Sequence, residues 1–340
     1  MPRKLIIFGN GLGRALNNEH FNLASATRSV WANQECLTDN QKALIATAIE
    51  GVEVENGPEN EQQLFGTQLA LIACEILEHA TNDETLEKWL TEDALEYPNA
   101  LNRYTYEVSR HFHNHELALE FCDQWQNFIE NLVSFIFRSK SHVATLNYDT
   151  LLYEPFNELH DVAGDQVRLC NGFNGTLLDG YTRGQGFSAQ NMKRRFNAQD
   201  KAFYMHLHGS PLFVDDDEGN PEKLTRAQLQ DQAGDRRSHI VLTHGRMKPV
   251  VISSSKVLQM YWAHLPLAIE EAQEIILFGY SGSDEHLNKK IKNHRGDKPV
   301  RVVERTHEDQ DQRANYWQRK LDCAAEVVAL ENILEFVDWE

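Results

Sequence analysis

The sequence predicts an α/β protein built on a mostly parallel sheet, with a large helical insertion after the first strand. Three observations carry that prediction. Short apolar or β-branched runs recur along the chain, and several stop directly in Gly, Asn, Ser or His. Strands of a parallel sheet do this when polar residues gather at the carboxyl edge. About 130 residues that read as helix separate the first run from the second. The first run, in LIIFGNGLGRALN (5–17), passes straight into three glycines within five positions and then a segment able to start a helix.

In chain order, the predicted strands fall at 5–8, 142–146, 202–207, 249–253, 274–278, 300–303 and 326–329. The insertion spans about 18–140. Within it, Leu64, Leu69, Ile72 and Ile76 recur at helical spacing, as do Leu117, Phe121, Phe128, Leu132 and Phe135. Residues 164–200, rich in Gly, Asn and Gln and carrying Lys193, Arg194 and Arg195, read as a long loop or cap. DDDEGNPE (215–222) reads as a solvated turn, since the terminal glutamate of a calcium loop is missing. The length of 340 residues suits one large domain or two modest ones, and no internal repeat divides it.

Composition narrows the function. The net charge of −18 argues against a nucleic-acid partner held through a broad basic face. It leaves room for a dinucleotide, which backbone N–H groups and one or two arginines can hold. The five cysteines (36, 74, 122, 170 and 323) form no C-x-x-C pair, so no zinc ribbon is expected. An odd, scattered set suits a reducing compartment. The apolar LIIF is too short for a signal peptide, and no apolar run reaches the length of a membrane span. The expectation is a soluble, cytoplasmic protein.

Four segments carry chemistry. In the first, Gly9, Gly11 and Gly13 follow a strand, where glycines let backbone N–H groups approach a phosphate. Arg14 stands where the dehydrogenase pattern G-x-G-x-x-G needs glycine, and no strand ending in an acid follows about 20 residues on. The G-K-[ST] of an ATPase loop is also missing. In the second, SHVATLNYDTLLYE (141–154), Asn147 ends a buried strand where side chains meet a ligand, and Asp149 can cap the helix-like run after it. In the third, FYMHLHGSPLF (203–213), His206 and His208 are two apart and so share one strand face. His208, just before a Gly-Ser turn, has the position and titration range of a general base. In the fourth, EIILFGYSGSDEHLNKKI (274–291), a strand ends in Gly279, Tyr280 and Ser281, and Asp284 begins a helix. G-Y-S-G-S is not the G-x-S-x-G elbow of serine hydrolases. HFHNHE (111–116) puts His111 and His115 one helical turn apart, but no further ligand is arranged beside them; they read as solvent-exposed, and no metal is expected.

In this order, the Gly-rich turn, TLNYD, HLHGS and FGYSGSD resemble the sirtuin-like family, closest to its bacterial antiphage-defence branch that consumes NAD. The resemblance covers about 1–17 and 141–305. It implies a Rossmann-like, mostly parallel sheet in a single NAD-binding domain. It implies that Gly9, Asn10, Gly11 and Arg14 hold the NAD pyrophosphate and that Asn147 lies beside the nicotinamide ribose. Asp149 then contacts the nicotinamide, His208 is catalytic, and Gly279, Tyr280 and Ser281 lie near the adenosine side. The sequence departs from the deacylating members: only Cys323 follows His208, so their four-cysteine zinc module is missing; Tyr148 replaces an Ile; Gly13 stands where many relatives have Ser. The implied activity is NAD hydrolysis to nicotinamide and ADP-ribose, with Asn147 and His208 catalytic. NAD is then substrate rather than resident cofactor. Protein deacylation and a non-catalytic NAD or ADP-ribose sensor are the alternatives. An NAD-depleting enzyme must be gated, which implies a homo-oligomer or a defence partner such as a HerA-type ATPase or an Argonaute-like protein.

Overall fold

The computed structural model describes residues 1–80, 95–113, 123–157, 160–162, 165–173, 185–193, 200–231, 236–307 and 309–340. Two sheets organise the chain. The larger has eight strands in the order β12-β11-β10-β1-β2-β6-β4-β3. Its centre is β1 (Lys4–Phe8), paired in parallel with β10 (Glu274–Phe278) on one side and β2 (His142–Thr145) on the other. Outward from β10 lie β11 (Val300–Arg305) and β12 (Glu326–Leu330); outward from β2 lie β6 (Asp200–His206) and β4 (Asp165–Cys170). All these pairs are parallel, and β3 (His160–Val162) closes the edge antiparallel to β4. This Rossmann-like α/β arrangement agrees with the predicted fold class.

The two innermost strands, β1 and β10, are apolar after their first residue because both faces are covered. Leu5, Ile6, Ile7, Phe8 and Ile275, Ile276, Leu277, Phe278 are all fully buried. Burying each such side chain contributes about 1.5–3 kcal/mol. The chain crosses from β1 toward β2 and β6, and returns only much later to β10, β11 and β12 on the other side. That reversal makes a crevice at the carboxyl ends of the strands, where open α/β sheets bind ligands.

The helical insertion is present. It holds α2 (Leu23–Ala32), α3 (Asp39–Thr47), a 3-10 turn at Glu61–Leu64, α4 (Phe65–Ala80), α5 (Tyr97–His113) and α6 (Asp123–Ser139), after the short α1 (Gly11–Leu16). α3 opens with a complete capping box between Thr38 and Gln41. Trp31 of α2 meets Tyr104 of α5 edge-on at 5.7 Å, within the same hydrophobic core that holds the central strands. Ile76 belongs to α4, whereas Leu117, Phe121, Cys122, His115, Arg194 and Arg195 lie outside the described residues. No helix among the described residues is long and apolar enough to cross a membrane.

Two predicted elements are corrected. The run at 249–253 is not a strand: α10 (Lys248–Ser254) is helical, with Pro249 in its first turn. Proline there has its φ already set for a helix and needs no donor, and this outweighs the three β-branched residues that follow, Val250, Val251 and Ile252. The stretch 164–200 is not one loop. It contains β4, β5 (Gln185–Gly186) and α8 (Ala189–Lys193), with α7 (Tyr153–Asn157) preceding β3.

The second sheet runs β5-β8-β7-β9, all antiparallel, with β7 (Gly209–Asp215), β8 (Pro221–Lys223) and β9 (Ser238–Ile240). α9 (Arg226–Asp231) lies between β8 and β9. β7 leaves the end of β6 after only Leu207 and His208. Gly209 makes that sharp exit possible: its φ is +85°, and a Cβ there would fall 1.7 Å from the His239 carbonyl oxygen. Of the expected solvated turn at 215–222, residues 217–220 are exposed, with Asp216 Oδ1 accepting from the Glu218 and Asn220 amides, whereas Asp215 and Pro221–Glu222 belong to β7 and β8. α11 (Lys256–Glu271) packs on β1 and β6, with Trp262 Nε1 donating to the Leu207 carbonyl, α12 (Glu285–His294) packs beside it, and α13 (Gln310–Leu321) lies between α12 and β12.

Candidate active site

A cavity of about 820 Å³ opens at the carboxyl ends of β1, β2, β6, β10, β11 and β12. That is within the range that holds a cofactor-sized ligand. Every residue expected at the site lines it: Gly9, Asn10, Gly11, Arg14, Asn147, Asp149, His208, Gly279, Tyr280 and Ser281.

The floor is glycine for a packing reason. The Gly9 amide donates to the Phe278 carbonyl and the Gly11 amide to the Gly279 carbonyl, at 2.9 and 2.8 Å. The two strand ends therefore touch backbone to backbone. A Cβ on Gly11 would sit 2.6 Å from the Gly279 oxygen, and Gly279 itself has a φ of +60°. The expectation that these N–H groups face a phosphate is corrected: both are already bonded, and the glycines serve by keeping the floor thin. Asn10 is exposed and its Nδ2 donates to the Phe21 carbonyl. Arg14 is exposed at the cavity wall, bonded through Nε to Asn18 Oδ1. The Tyr280 ring turns inward: its hydroxyl bonds the Asp284 backbone and Asn288 Oδ1 at 3.0 Å, so only the neighbouring backbone of Tyr280 is offered to a ligand. Ser281 is exposed, and its hydroxyl bonds Ser283.

At the β2 end, Asn147 is 3% exposed, yet among the described residues neither Oδ1 nor Nδ2 has a hydrogen-bond partner. Its amide N–H donates to Thr145 Oγ1, which fixes the turn and leaves the side chain on the cavity. Unpaired buried amides are rare and call for an explanation. Asp149 accepts from the Leu151 amide at 3.2 Å, an Asx turn leading into α7. Tyr148 is buried between Phe112 and His208, with its hydroxyl on the Val241 carbonyl at 2.7 Å. It walls off the histidine from behind, and burial, with Glu61 and Asp284 nearby, holds its hydroxyl well above the usual tyrosine range.

His208 is held by a buried carboxylate. Its Nε2 lies 2.8 Å from Asp284 Oδ2, and Lys248 Nζ lies 3.3 Å from the same oxygen. Burial alone would raise the Asp284 carboxyl, but the hydrogen bond and charge of His208, with Lys248 and the Leu287 amide, hold it well below the usual carboxylate range. An ionised Asp284 accepts, so Nε2 carries the ring proton and Nδ1 is left as the basic nitrogen. Among the described residues nothing hydrogen-bonds that Nδ1.

Asp284 caps α12 as expected, through the Leu287 amide at 2.9 Å. Its second oxygen, serving His208, was not foreseen; nor were Lys248, from the mispredicted α10, or Glu61, from the insertion, 3.4 Å from Lys248 Nζ. The far end of the cavity is lined by Glu304, Arg305, His307, Arg313 and Asn332. There Arg313 grips Glu304 through two hydrogen bonds, and Trp317 Nε1 donates to the same carboxylate.

The histidines separate. His206 does not share the cavity with His208: it packs on Tyr204 at 4.6 Å and Phe213 at 5.2 Å, and burial, with the Lys223 charge, pushes its ring down to about 3. His111 is half-buried rather than exposed. It stacks on His20 at 4.7 Å, and burial with that neighbour lowers it to about 4. Among the described residues, no group of three His, Cys, Asp or Glu is placed to hold a metal ion.

A comparison with known protein families finds no matching family model, and a comparison with curated proteins finds no match.

Proposed function

We propose that the chain is a sirtuin-like NAD hydrolase of the antiphage-defence kind, releasing nicotinamide and ADP-ribose. One observation supports this most: an unpartnered buried amide, Asn147, and a carboxylate-held histidine, His208, line the same cavity at the crevice of a Rossmann-like sheet. A ligand with a ribose diol and a reactive C1′ would satisfy both. The sequence resemblance supplies the identity of that ligand.

In the reaction, the C1′–N bond breaks and its electron pair returns to the pyridinium nitrogen, which becomes neutral nicotinamide. The ribose gains oxocarbenium character. Asn147 Oδ1 and Nδ2 orient the ribose and the attacking water. Water oxygen bonds C1′ and gives its proton to His208 Nδ1; Nε2–H, held by Asp284, stabilises the imidazolium that forms. Asp149 faces the nicotinamide end, and Arg14 reaches the pyrophosphate. The buried wall of Tyr148 excludes water from behind the base.

The test incubates purified protein with NAD, with and without an acetylated peptide, and follows nicotinamide and ADP-ribose. Nicotinamide without peptide supports the hydrolase. Nicotinamide only with peptide replaces it with a deacylase, and NAD binding without product, with the releasing partner present, replaces it with a sensor. An NAD-consuming enzyme needs restraint in its host, so the proposed setting includes an oligomer or a defence partner that releases the activity.

A further inference from the structure

Four side chains from four distant parts of the chain meet in one line. Glu61 Oε1 lies 3.4 Å from Lys248 Nζ, Lys248 Nζ lies 3.3 Å from Asp284 Oδ2, and that same oxygen lies 2.8 Å from His208 Nε2. Lys248, Asp284 and His208 are buried, and the Glu61 side chain is 23% exposed. Glu61 begins the 3-10 turn that leads into α4 of the insertion, and Phe65, four residues on, packs edge-on against His244 ahead of α10 at 5.3 Å. The insertion is thereby seated where its carboxylate can reach the lysine.

The charges explain why the line has four members. A buried ammonium on Asp284 Oδ2 competes with the imidazole for that oxygen and opposes the positive charge that His208 acquires as a base. A carboxylate on the far side of the ammonium draws it back and offsets its charge. A lysine buried in the first turn of α10 carries a desolvation cost, which the two carboxylates beside it offset.

The geometry points to Lys248 and Glu61 as positioning residues that act through Asp284 to set the proton affinity of His208, with Glu61 making this depend on the seating of the helical insertion. This rests on His208 as the base of the proposed reaction. Among the described residues, Tyr148 lies beside the His208 ring and His286 on α12 lies near it, while Asp149 and Arg14 line the same cavity; they are unchanged in the variants below.

Two variants carry opposite signs. Glu61→Gln removes a negative charge from the line, so protonated His208 loses support. Lys248→Met removes a positive charge, so protonated His208 gains it. Histidine-selective ¹⁵N labelling of the full chain, with the His208 ring assigned by its loss in His208→Gln, reads the ring's titration without any turnover. The expected result is a His208 midpoint at least about half a pH unit lower in Glu61→Gln and at least about half a unit higher in Lys248→Met. Midpoints within about 0.2 units of the parent in both variants overturn the proposal. Glu61 is partly exposed, so Glu61→Gln carries the test alone if Lys248→Met does not fold. In the NAD assay, the acid limb of the pH–rate profile moves in the same directions, and Glu61→Asp restores the parent profile. The ring titration needs no turnover, so it decides the coupling separately from the hydrolase reading, which the NAD assay with its releasing partner decides.

Discussion

Two histidine–carboxylate pairs, His208 in the β6–β7 turn and His239 on β9, differ in what they leave unfilled. His208 meets Asp284 at 2.8 Å on the cavity wall, with one ring nitrogen left unbonded among the described residues. His239 meets Asp215 at 3.0 Å through Nε2 and Ser255 at 2.9 Å through Nδ1, so both nitrogens are satisfied. Ser255, His239 and Asp215 have the composition of a hydrolase triad, but none of them lines the cavity. Ser255 also caps α11 through the Leu258 amide, so this second group ties β7 and β9 of the smaller sheet to a helix. The lesson is that hydrogen-bond bookkeeping separates a reactive histidine from a structural one. A base must retain an unfilled valence that faces a ligand; a brace has none.

The sharpest way to break this comparison is to remove each histidine. His208→Ala is expected to lower nicotinamide release by about 10²–10⁴-fold. The fold is retained, since Lys248 still neutralises Asp284. His239→Ala is expected to leave release unchanged while lowering stability by about 1–3 kcal/mol, because it strands buried hydrogen-bonding groups. Steady-state assays and urea unfolding of both proteins check the pair of outcomes. Equal losses of activity would erase the distinction. Asn147→Ala extends the same logic to the amide. It removes a group with no partner among the described residues, so activity is expected to fall by about 10²-fold while the melting temperature holds or rises slightly. A marked loss of stability instead would mean that the amide is structural.

The parallel sheet was legible because its inner strands are short runs rich in apolar and β-branched residues that stop at polar ones; 5–8, 274–278 and 142–146 need no tertiary information to be found. Asn147, Asp149 and His208 were legible for the same reason, since a residue at the carboxyl end of a parallel strand faces the crevice by topology. The smaller sheet was not. β5, β8 and β9 have two or three residues each, too short for alternation to register, and β7 carries Pro211. The 249–253 run misled because its β-branched residues signal a strand locally, while Pro249 in a first turn signals a helix only once the helix exists. Glu61, Lys248 and the second role of Asp284 are products of packing among three elements far apart in sequence. No local pattern marks them.

A smaller and more physical distinction separates His206 from His208, which the sequence placed on one strand face. Burial and the Lys223 charge hold the His206 ring near 3 against an ordinary 6.5. The fold therefore keeps it neutral where the unfolded chain takes up a proton. Between about pH 6.5 and 3 the unfolded state binds one proton more, so the contribution of His206 to stability is complete above pH 6.5 and is lost as the pH falls toward 3. Lys223, itself pushed down to about 7 by burial and by Arg168, titrates above that window and adds no slope within it. His206→Phe keeps the aromatic volume against Tyr204 and Phe213 and removes the proton site. Its stability is expected to fall less steeply than the parent's between pH 6 and 4, by at most about 1.4 kcal/mol per pH unit, in urea titrations across that range. Nicotinamide release at neutral pH is expected to be unchanged, because His206 does not line the cavity. Parallel stability slopes in the two proteins would mean that the ring finds a proton acceptor in the folded state. His206 would then differ from His208 in position alone, not in what the fold permits it to bind.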